Sequence, residues 1–95
     1  MGNYKLSAAA ESDLKRIWFR GLAEFGEAQA DAYYYKLLER IEQLAKQPYN
    51  PHAVDDIRLD YRRAVCGVDS IYYRIHGDYI EIMRVLGRQD AQLNL

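Results

Sequence analysis

The apolar residues change their spacing once along the chain, and this change limits the folds that the sequence can adopt. Before residue 47 they recur every three or four positions, which is typical of helices that bury one face. After residue 52 they are largely β-branched or aromatic and they alternate with polar residues. Pro48 and Pro51 lie between the two parts and stop any helix. The sequence therefore predicts helices followed by strands, an α+β class.

A short strand and two helices are predicted before the prolines. Tyr4-Lys5-Leu6 alternates in polarity, Ser7 can cap a helix over residues 8–25, and Gly26 ends that helix before a second one starts at Glu27. A connection this short makes the two helices antiparallel. The predicted core-facing residues are Ala10, Leu14, Ile17, Trp18, Gly21, Leu22 and Phe25, followed by Ala30, Tyr33, Tyr34, Leu37, Leu38, Ile41, Leu44 and Ala45.

Three strands are predicted after the prolines, over residues 57–65, 70–75 and 79–86. Gly67 and Gly77 lie in the turns between them, at hairpin length, which indicates an antiparallel meander. Ile71, Tyr73 and Ile75, with Ile80 and Ile82, form one apolar face that the helical hairpin can cover. We expect one domain, 1–95, with two layers: the hairpin on an antiparallel sheet, and the N-terminal strand at the sheet edge.

Composition excludes several classes of protein. A chain of 95 residues is too short for two domains, and its formal net charge of -1 argues against binding free nucleic acid. Charged residues interrupt every longer apolar stretch, so no membrane span is expected. The N-terminus has no apolar signal region and Cys66 is the single cysteine, so we expect a cytoplasmic protein without disulfides.

The sequence offers no metal or cofactor site. His52 lies among the prolines and His76 in a predicted turn, and each is best explained as a solvated turn histidine. Neither has aspartates at a spacing that would complete a set of metal ligands. Cys66 has no patterned histidine partner and is interpreted as an inert thiol.

Two groups of side chains do not fit a simple core-and-surface pattern. The six basic residues after position 48 are all arginine, at 58, 62, 63, 74, 84 and 88, which suits recognition of carboxylates or phosphates, although a solvated strand face could also carry them. Phe19 and Tyr35 fall on the polar sides of their helices. Tyr72 and Arg74 lie on the sheet face away from the helices, and Met83 and Val85 are expected beside them. These exposed patches predict a second chain that covers them.

The order of motifs resembles the ParE branch of the ParE/RelE toxin superfamily over residues 3–90. The motifs that carry the resemblance are Tyr4-Lys5-Leu6-Ser7, Asp13-Leu14 with Ile17-Trp18, Tyr61-Arg62-Arg63, Ile71-Tyr72-Tyr73-Arg74 and Ile80-Glu81-Ile82-Met83-Arg84-Val85-Leu86-Gly87. The resemblance implies a growth-inhibiting toxin of a type II toxin-antitoxin system, held in a hetero-oligomer by a ParD-like antitoxin. We assign antitoxin binding to Tyr72, Arg74, Met83, Val85, Phe19 and Tyr35.

The two branches of the superfamily differ in their targets. ParE-like toxins poison DNA gyrase, whereas RelE-like toxins cut mRNA in the ribosome. Ser70 stands where such nucleases place an arginine, and no Tyr or His follows Tyr79. We therefore predict a gyrase inhibitor that is not an enzyme, with Arg84 and Arg88 contacting the target. The alternatives are a RelE-type endoribonuclease that uses Arg63 and Arg88, and a toxin fold that has lost toxicity.

Overall fold

The computed structural model describes residues 2–49 and 60–87. Its elements are β1 (Asn3–Leu6), α1 (Ala8–Phe25), α2 (Glu27–Lys46), β2 (Arg62–Cys66), β3 (Asp69–His76) and β4 (Tyr79–Gly87). The predicted bounds of α1 and the predicted start of α2 are confirmed, and β3 and β4 extend one residue beyond the predicted ends. Within the strand predicted for 57–65, residues 57–59 lie outside the described part, and β2 runs from Arg62 to Cys66.

Ser7 and Gly26 shape the helical hairpin. The Ser7 side chain accepts a hydrogen bond from the Ala10 N–H at 3.0 Å, and so caps α1. Gly26 has a φ of 92°, and its N–H bonds the Leu22 carbonyl at 3.1 Å. A single residue in this left-handed conformation reverses the chain, so α2 packs antiparallel on α1.

The four strands form one sheet in the order β1-β4-β3-β2. The meander is antiparallel as predicted, and β1 joins the sheet edge as predicted. β1 is parallel to β4, however, so the sheet is mixed rather than wholly antiparallel. A tight hairpin turn forces the two strands that it joins to be antiparallel. β1 is connected to the other strands by the two helices, so no hairpin turn sets its direction.

The helices cover one face of this sheet. The fully buried residues include Leu14, Leu37, Ile41 and Leu44 from the helices and Ile71, Tyr73, Ile80, Ile82 and Val85 from the strands. The hydroxyl of Tyr73 donates to the Pro48 carbonyl at 2.5 Å, which ties the end of the helical half to the centre of the sheet. Burial raises the pKa of Tyr73 to about 12.

Val85 was expected on the exposed sheet face, and that placement is wrong. Tyr72 pairs with Arg84 while Tyr73 pairs with Ile82, so Met83 is an extra residue in β4. Such a β-bulge shifts the alternation of side chains by one position. Beyond the bulge Val85 therefore faces the helices and has no exposed surface.

Phe25 was expected in the core stripe of α1, and this is also wrong. Its side chain is 65% exposed at the last turn of the helix. The buried residues of α1 extend only from Ala10 to Ile17, and the second half of the helix lines a groove.

Candidate functional site

A groove is lined by the second half of α1, the first half of α2 and the β2–β3 turn. Its volume is about 610 Å³. Its apolar lining includes Ile17, Gly21, Ala30 and Ala32 with the ring of Tyr33. Gly21 and Ala30 let the two helices approach closely, since a Cβ added at Gly21 would lie 3.4 Å from the Cβ of Ala30.

Exposed apolar side chains and charges surround the mouth of the groove. Phe25 is 65% exposed and Val68 is 75% exposed, and both line it. Arg20, Glu24 and Lys36 also line it, which adds two cations and one anion to the rim. Two large exposed apolar groups at the mouth of an apolar groove are typical of a protein-binding site.

Asp69 and Tyr33 meet beneath the groove. The Tyr33 hydroxyl donates to the Oδ2 atom of Asp69 at 2.6 Å and accepts from the Val68 N–H at 3.3 Å. Asp69 is 1% exposed and lines the groove, and its Oδ1 atom has no hydrogen-bond partner within residues 2–49 and 60–87. Burial, and then the nearby Asp69 carboxylate, raise the pKa of Tyr33. The Oδ1 atom packs against β4, since a Cβ added at Gly87 would lie 2.6 Å from it.

The opposite face of the sheet carries the predicted polar and aromatic residues. Tyr72 and Arg74 lie on it and are half-buried, and Arg63 is exposed beside Tyr72 in the β2–β3 pairing. The Nε atom of Arg74 is buried and has no hydrogen-bond partner among the described residues. Met83 is half-buried at the bulge. The structure therefore places Tyr72 and Arg74 on one face, as the strand alternation predicted, and adds Arg63 beside Tyr72.

His76 is not the solvated turn histidine that the sequence indicated. Its Nε2 atom lies 2.9 Å from Oε1 of Glu81, and its ring stacks on Tyr79 with centroids 5.3 Å apart. Lys5 of β1 places its ammonium group 4.7 Å from the centre of the same Tyr79 ring. This cluster joins three strands, and the hairpin register that pairs His76 with Tyr79 is the signal that could have predicted it.

Arg84 holds β4 against α1. Its guanidinium donates to the Asp13 carboxylate at 2.8 Å and 3.0 Å, and Arg16 donates to the same carboxylate at 3.2 Å. Asp13 also accepts the Val85 N–H at 2.9 Å. Burial raises the pKa of Asp13, but the hydrogen bonds from Arg84, Val85 and Arg16 outweigh that effect and lower it. The sequence analysis missed this structural role of Arg84, and its predicted contact with a target stays a prediction.

Phe19 and Tyr35 are exposed as expected, by 61% and 65%. They lie outside the groove lining, and each ring makes an edge contact with the aromatic residue before it in the helix. Their binding to an antitoxin stays a prediction, as does that of Tyr72, Arg74 and Met83. Arg88 and His52 lie outside the described residues.

The described ranges 2–49 and 60–87 contain no cluster of side chains suited to a metal ion. They also contain no helix with the length and hydropathy needed to cross a membrane. Cys66 is buried, and its burial raises the pKa of the thiol, so the reactive thiolate is disfavoured.

The fold is shared with solved toxin structures. A chain described as the chromosomal ParDE TA system from P. aeruginosa superposes with a TM-score of 0.80 over 92% of this chain and 96% of that one, at 19% identity. A chain of the toxin-antitoxin complex RelBE2 from Mycobacterium tuberculosis gives a TM-score of 0.60 over 90% and 96%, at 20% identity. At these identities the likeness shows the fold alone.

Sequence comparisons identify the family. Toxin ParE1 of Mycobacterium tuberculosis is 36% identical over 94 residues, which cover 97% of this chain and 96% of that protein. Toxin ParE1 of Caulobacter vibrioides is 36% identical over 86 residues, covering 90% and 88%. Residues 4–92 match the family described as the ParE toxin of the type II toxin-antitoxin system parDE. With this match and these relatives, the chain belongs to the ParE toxin family of type II toxin-antitoxin systems.

Proposed function

We propose that this toxin inhibits DNA gyrase by binding it, and that a ParD-like antitoxin neutralises it by occupying the groove between α1 and α2. Membership of the ParE family and the fold it shares with toxin-antitoxin structures support a toxin with an antitoxin partner. The observation that carries the proposal is the groove itself, with exposed Phe25 and Val68 at its mouth.

The sheet face opposite the helices supports binding rather than RNA cleavage. A metal-independent ribonuclease needs a proton-transfer group next to cations that hold the phosphate. Arg63 pairs with Tyr72, and His76 lies four residues further along β3, or about 13 Å away at about 3.3 Å per residue. His76 is also engaged with Glu81. Arg63, the described cation of the RelE-type alternative, therefore does not share a site with His76.

The antitoxin segment that fits the groove is apolar with acidic neighbours. An apolar side chain would enter the groove against the exposed ring of Phe25. Acidic groups would meet the cations on the rim. The exposed apolar surface would then leave water, which is the main driving force of association.

The experiment for the target is gyrase supercoiling with the purified toxin. We expect loss of supercoiling and accumulation of cleaved DNA. Arg88→Ala should weaken the inhibition, with circular dichroism to check that the variant is folded, whereas Arg84→Ala should also lower the melting temperature because Arg84 bonds Asp13. Unaffected gyrase together with ribosome-dependent mRNA cuts that disappear in Arg88→Ala would favour the RelE-type alternative.

The experiment for the antitoxin compares matched exposed phenylalanines. Phe25→Ser removes a ring at the mouth of the groove, and Phe19→Ser removes an equally exposed ring outside it. When growth arrest by the toxin is relieved by co-expression of a ParD-like antitoxin, Phe25→Ser should reduce that relief more than Phe19→Ser does. The opposite order would place the antitoxin on the outer helical layer, and a larger loss in Tyr72→Ala or Arg74→Ala would place it on the sheet.

Growth of cells that express the toxin alone addresses the remaining alternative. We expect arrest. Normal growth with a folded protein, as judged by circular dichroism, would favour a toxin fold that binds an antitoxin but has lost toxicity.

A further inference from the structure

The outer edge of β2 presents backbone groups that no described strand covers. β2 is the last strand in the sheet order, and a two-residue turn joins it to β3. In such a hairpin the residues that flank the turn bond each other, and every second residue repeats this. Cys66, Ala64 and Arg62 therefore bond β3. The N–H and carbonyl groups of Arg63 and Val65 point away from the sheet.

Those outward groups have no hydrogen-bond partner within residues 2–49 and 60–87. Arg63 is exposed, and Val65 is 63% exposed. The part of β4 that extends beyond β1, by contrast, has its edge closed by Ser7 and α1. Ser7 bonds the backbone there at 3.0 Å and 2.9 Å, and Asp13 accepts a backbone N–H at 2.9 Å. An unpaired strand edge is a template for another strand.

Cations lie on both sides of the open edge. Arg63 projects on the sheet face away from the helices, and Arg62 projects toward the helices. Lys36 of α2 is adjacent, because its carbonyl lies 3.9 Å from the Cys66 thiol, and Arg40 follows one helical turn later. A second copy of this strand would bring its own arginines into the same region. An acidic partner is electrostatically favoured over a second copy.

We infer that the β2 edge accepts an additional strand from an acidic, extended segment of a partner chain. Its backbone would bond Arg63 and Val65, its carboxylates would lie beside the cations, and an apolar residue would pack on Val65. The identification of the partner as the antitoxin rests on the proposed function. It is favoured by continuity, since β2 ends at Cys66, two residues before Val68 at the mouth of the groove. One antitoxin chain can therefore contact both the β2 edge and the groove.

Amide hydrogen exchange with a synthetic peptide tests the inference. The probe is a blocked 12-residue peptide in which glutamate alternates with valine or threonine. At about ten times its dissociation constant, exchange of the Arg63 and Val65 amides should slow by about tenfold, since only about one molecule in eleven stays unbound. The amides of Ala64 and Cys66, which already bond β3, should change little. No gyrase or antitoxin is involved, so failure here is distinguishable from failure of the proposed function.

Two matched controls separate strand pairing from charge attraction. A peptide of the same sequence with N-methyl groups on alternate residues keeps its charge but cannot form the backbone bonds, and it should lose protection of both amides. Arg63→Glu should weaken binding of the unmodified peptide by about 3- to 10-fold in low salt, since an exposed pair contributes about 0.2–1 kcal/mol and reversal adds repulsion. Arg63→Gln, which only removes the charge, should have a smaller effect.

Three results would overturn the inference. The first is no binding of the unmodified peptide up to about 1 mM, the weak end of specific association. The second is equal binding of the N-methylated peptide, which would mean charge attraction without a strand. The third is protection of Arg63 and Val65 that rises with protein concentration in the absence of peptide. Together with dimers in sedimentation, it would assign the edge to a second copy of the chain.

Discussion

Replacing Asp13 with asparagine tests whether one carboxylate joins α1 to the last strand. Four N–H donors reach this side chain, two from Arg84, one from Arg16 and one from the Val85 backbone. Asparagine keeps one oxygen but puts an NH₂ group where the other oxygen accepted, and it removes the negative charge. The guanidinium of Arg84 would then face a donor and lack its counter-charge.

The expected cost follows from the burial of the three side chains. Removing one member of a fully buried ion pair costs about 3–5 kcal/mol. The side chain of Asp13 is 4% exposed, but those of Arg84 and Arg16 are 19% and 32% exposed, so water recovers part of the loss. We expect Asp13→Asn to lower the free energy of unfolding by about 2–3 kcal/mol, or roughly 10–20 °C in melting temperature.

Urea unfolding followed by circular dichroism at pH 7 measures this cost. With a slope of about 1 kcal/mol per molar urea, the midpoint should fall by about 2–3 M. Asp31→Asn is the matched control, because Asp31 accepts the Trp18 ring N–H at 2.7 Å through one oxygen, which asparagine retains. It should cost less than about 1 kcal/mol.

The stabilisation by the Asp13 carboxylate should depend on pH in one direction. The pKa of Asp13 is lowered in the folded state. The stabilisation is therefore present above the pKa of an unfolded aspartate, about 3.9, and is lost as the pH falls through the lower folded value. The difference between wild type and Asp13→Asn should shrink at and below about pH 3. A cost below about 1 kcal/mol at pH 7, or a cost that does not change in acid, would refute the reasoning.

Three further predictions follow from the β2–β3 turn and the buried hydroxyls. Gly67→Ala should destabilise the fold more than Gly77→Ala does. Both glycines have φ near 60°, but an added Cβ at Gly67 would lie 2.7 Å from the Tyr33 ring, whereas an added Cβ at Gly77 would meet open space. Equal decreases in melting temperature would contradict this prediction. Burial raises the pKa of Tyr33 and Tyr73 in the folded state. The free energy of unfolding should therefore fall as the pH rises above about 10, the pKa of an unfolded tyrosine. In urea titrations Tyr33→Phe should make this decrease smaller. Cys66 should react slowly with a thiol reagent in the native state and rapidly in urea; fast native reaction would contradict its burial.

The arrangement of elements could be predicted from local patterns because each pattern has a local physical cause. Ser7 caps α1 and Gly26 ends it, so the helix bounds depend on residues within one turn of each end. Gly67 and Gly77 allow the two-residue turns that join β2, β3 and β4. The family could be recognised for the same reason, since its motifs are short and follow this order.

The site was less predictable because its residues meet only through the tertiary fold. The groove combines α1, α2 and the turn after β2, and no spacing in the sequence indicates that the buried stripe of α1 ends at Ile17 and leaves Phe25 exposed. Asp69 is the second residue after Gly67 and is predicted in a turn, but it is buried beside the groove.

The sequence by itself determined the class of fold, the strand and helix order and the membership of a toxin family, since these depend on periodicity, capping and turn residues close together in the chain. The tertiary structure decided which side chains are exposed for binding and which are buried or bonded within the fold. The bulge at Met83 turned Val85 into the core, and Arg84 bonds Asp13, which lies 71 residues earlier in the chain. Both outcomes depend on contacts between distant parts of the chain, where packing and desolvation outweigh local preference.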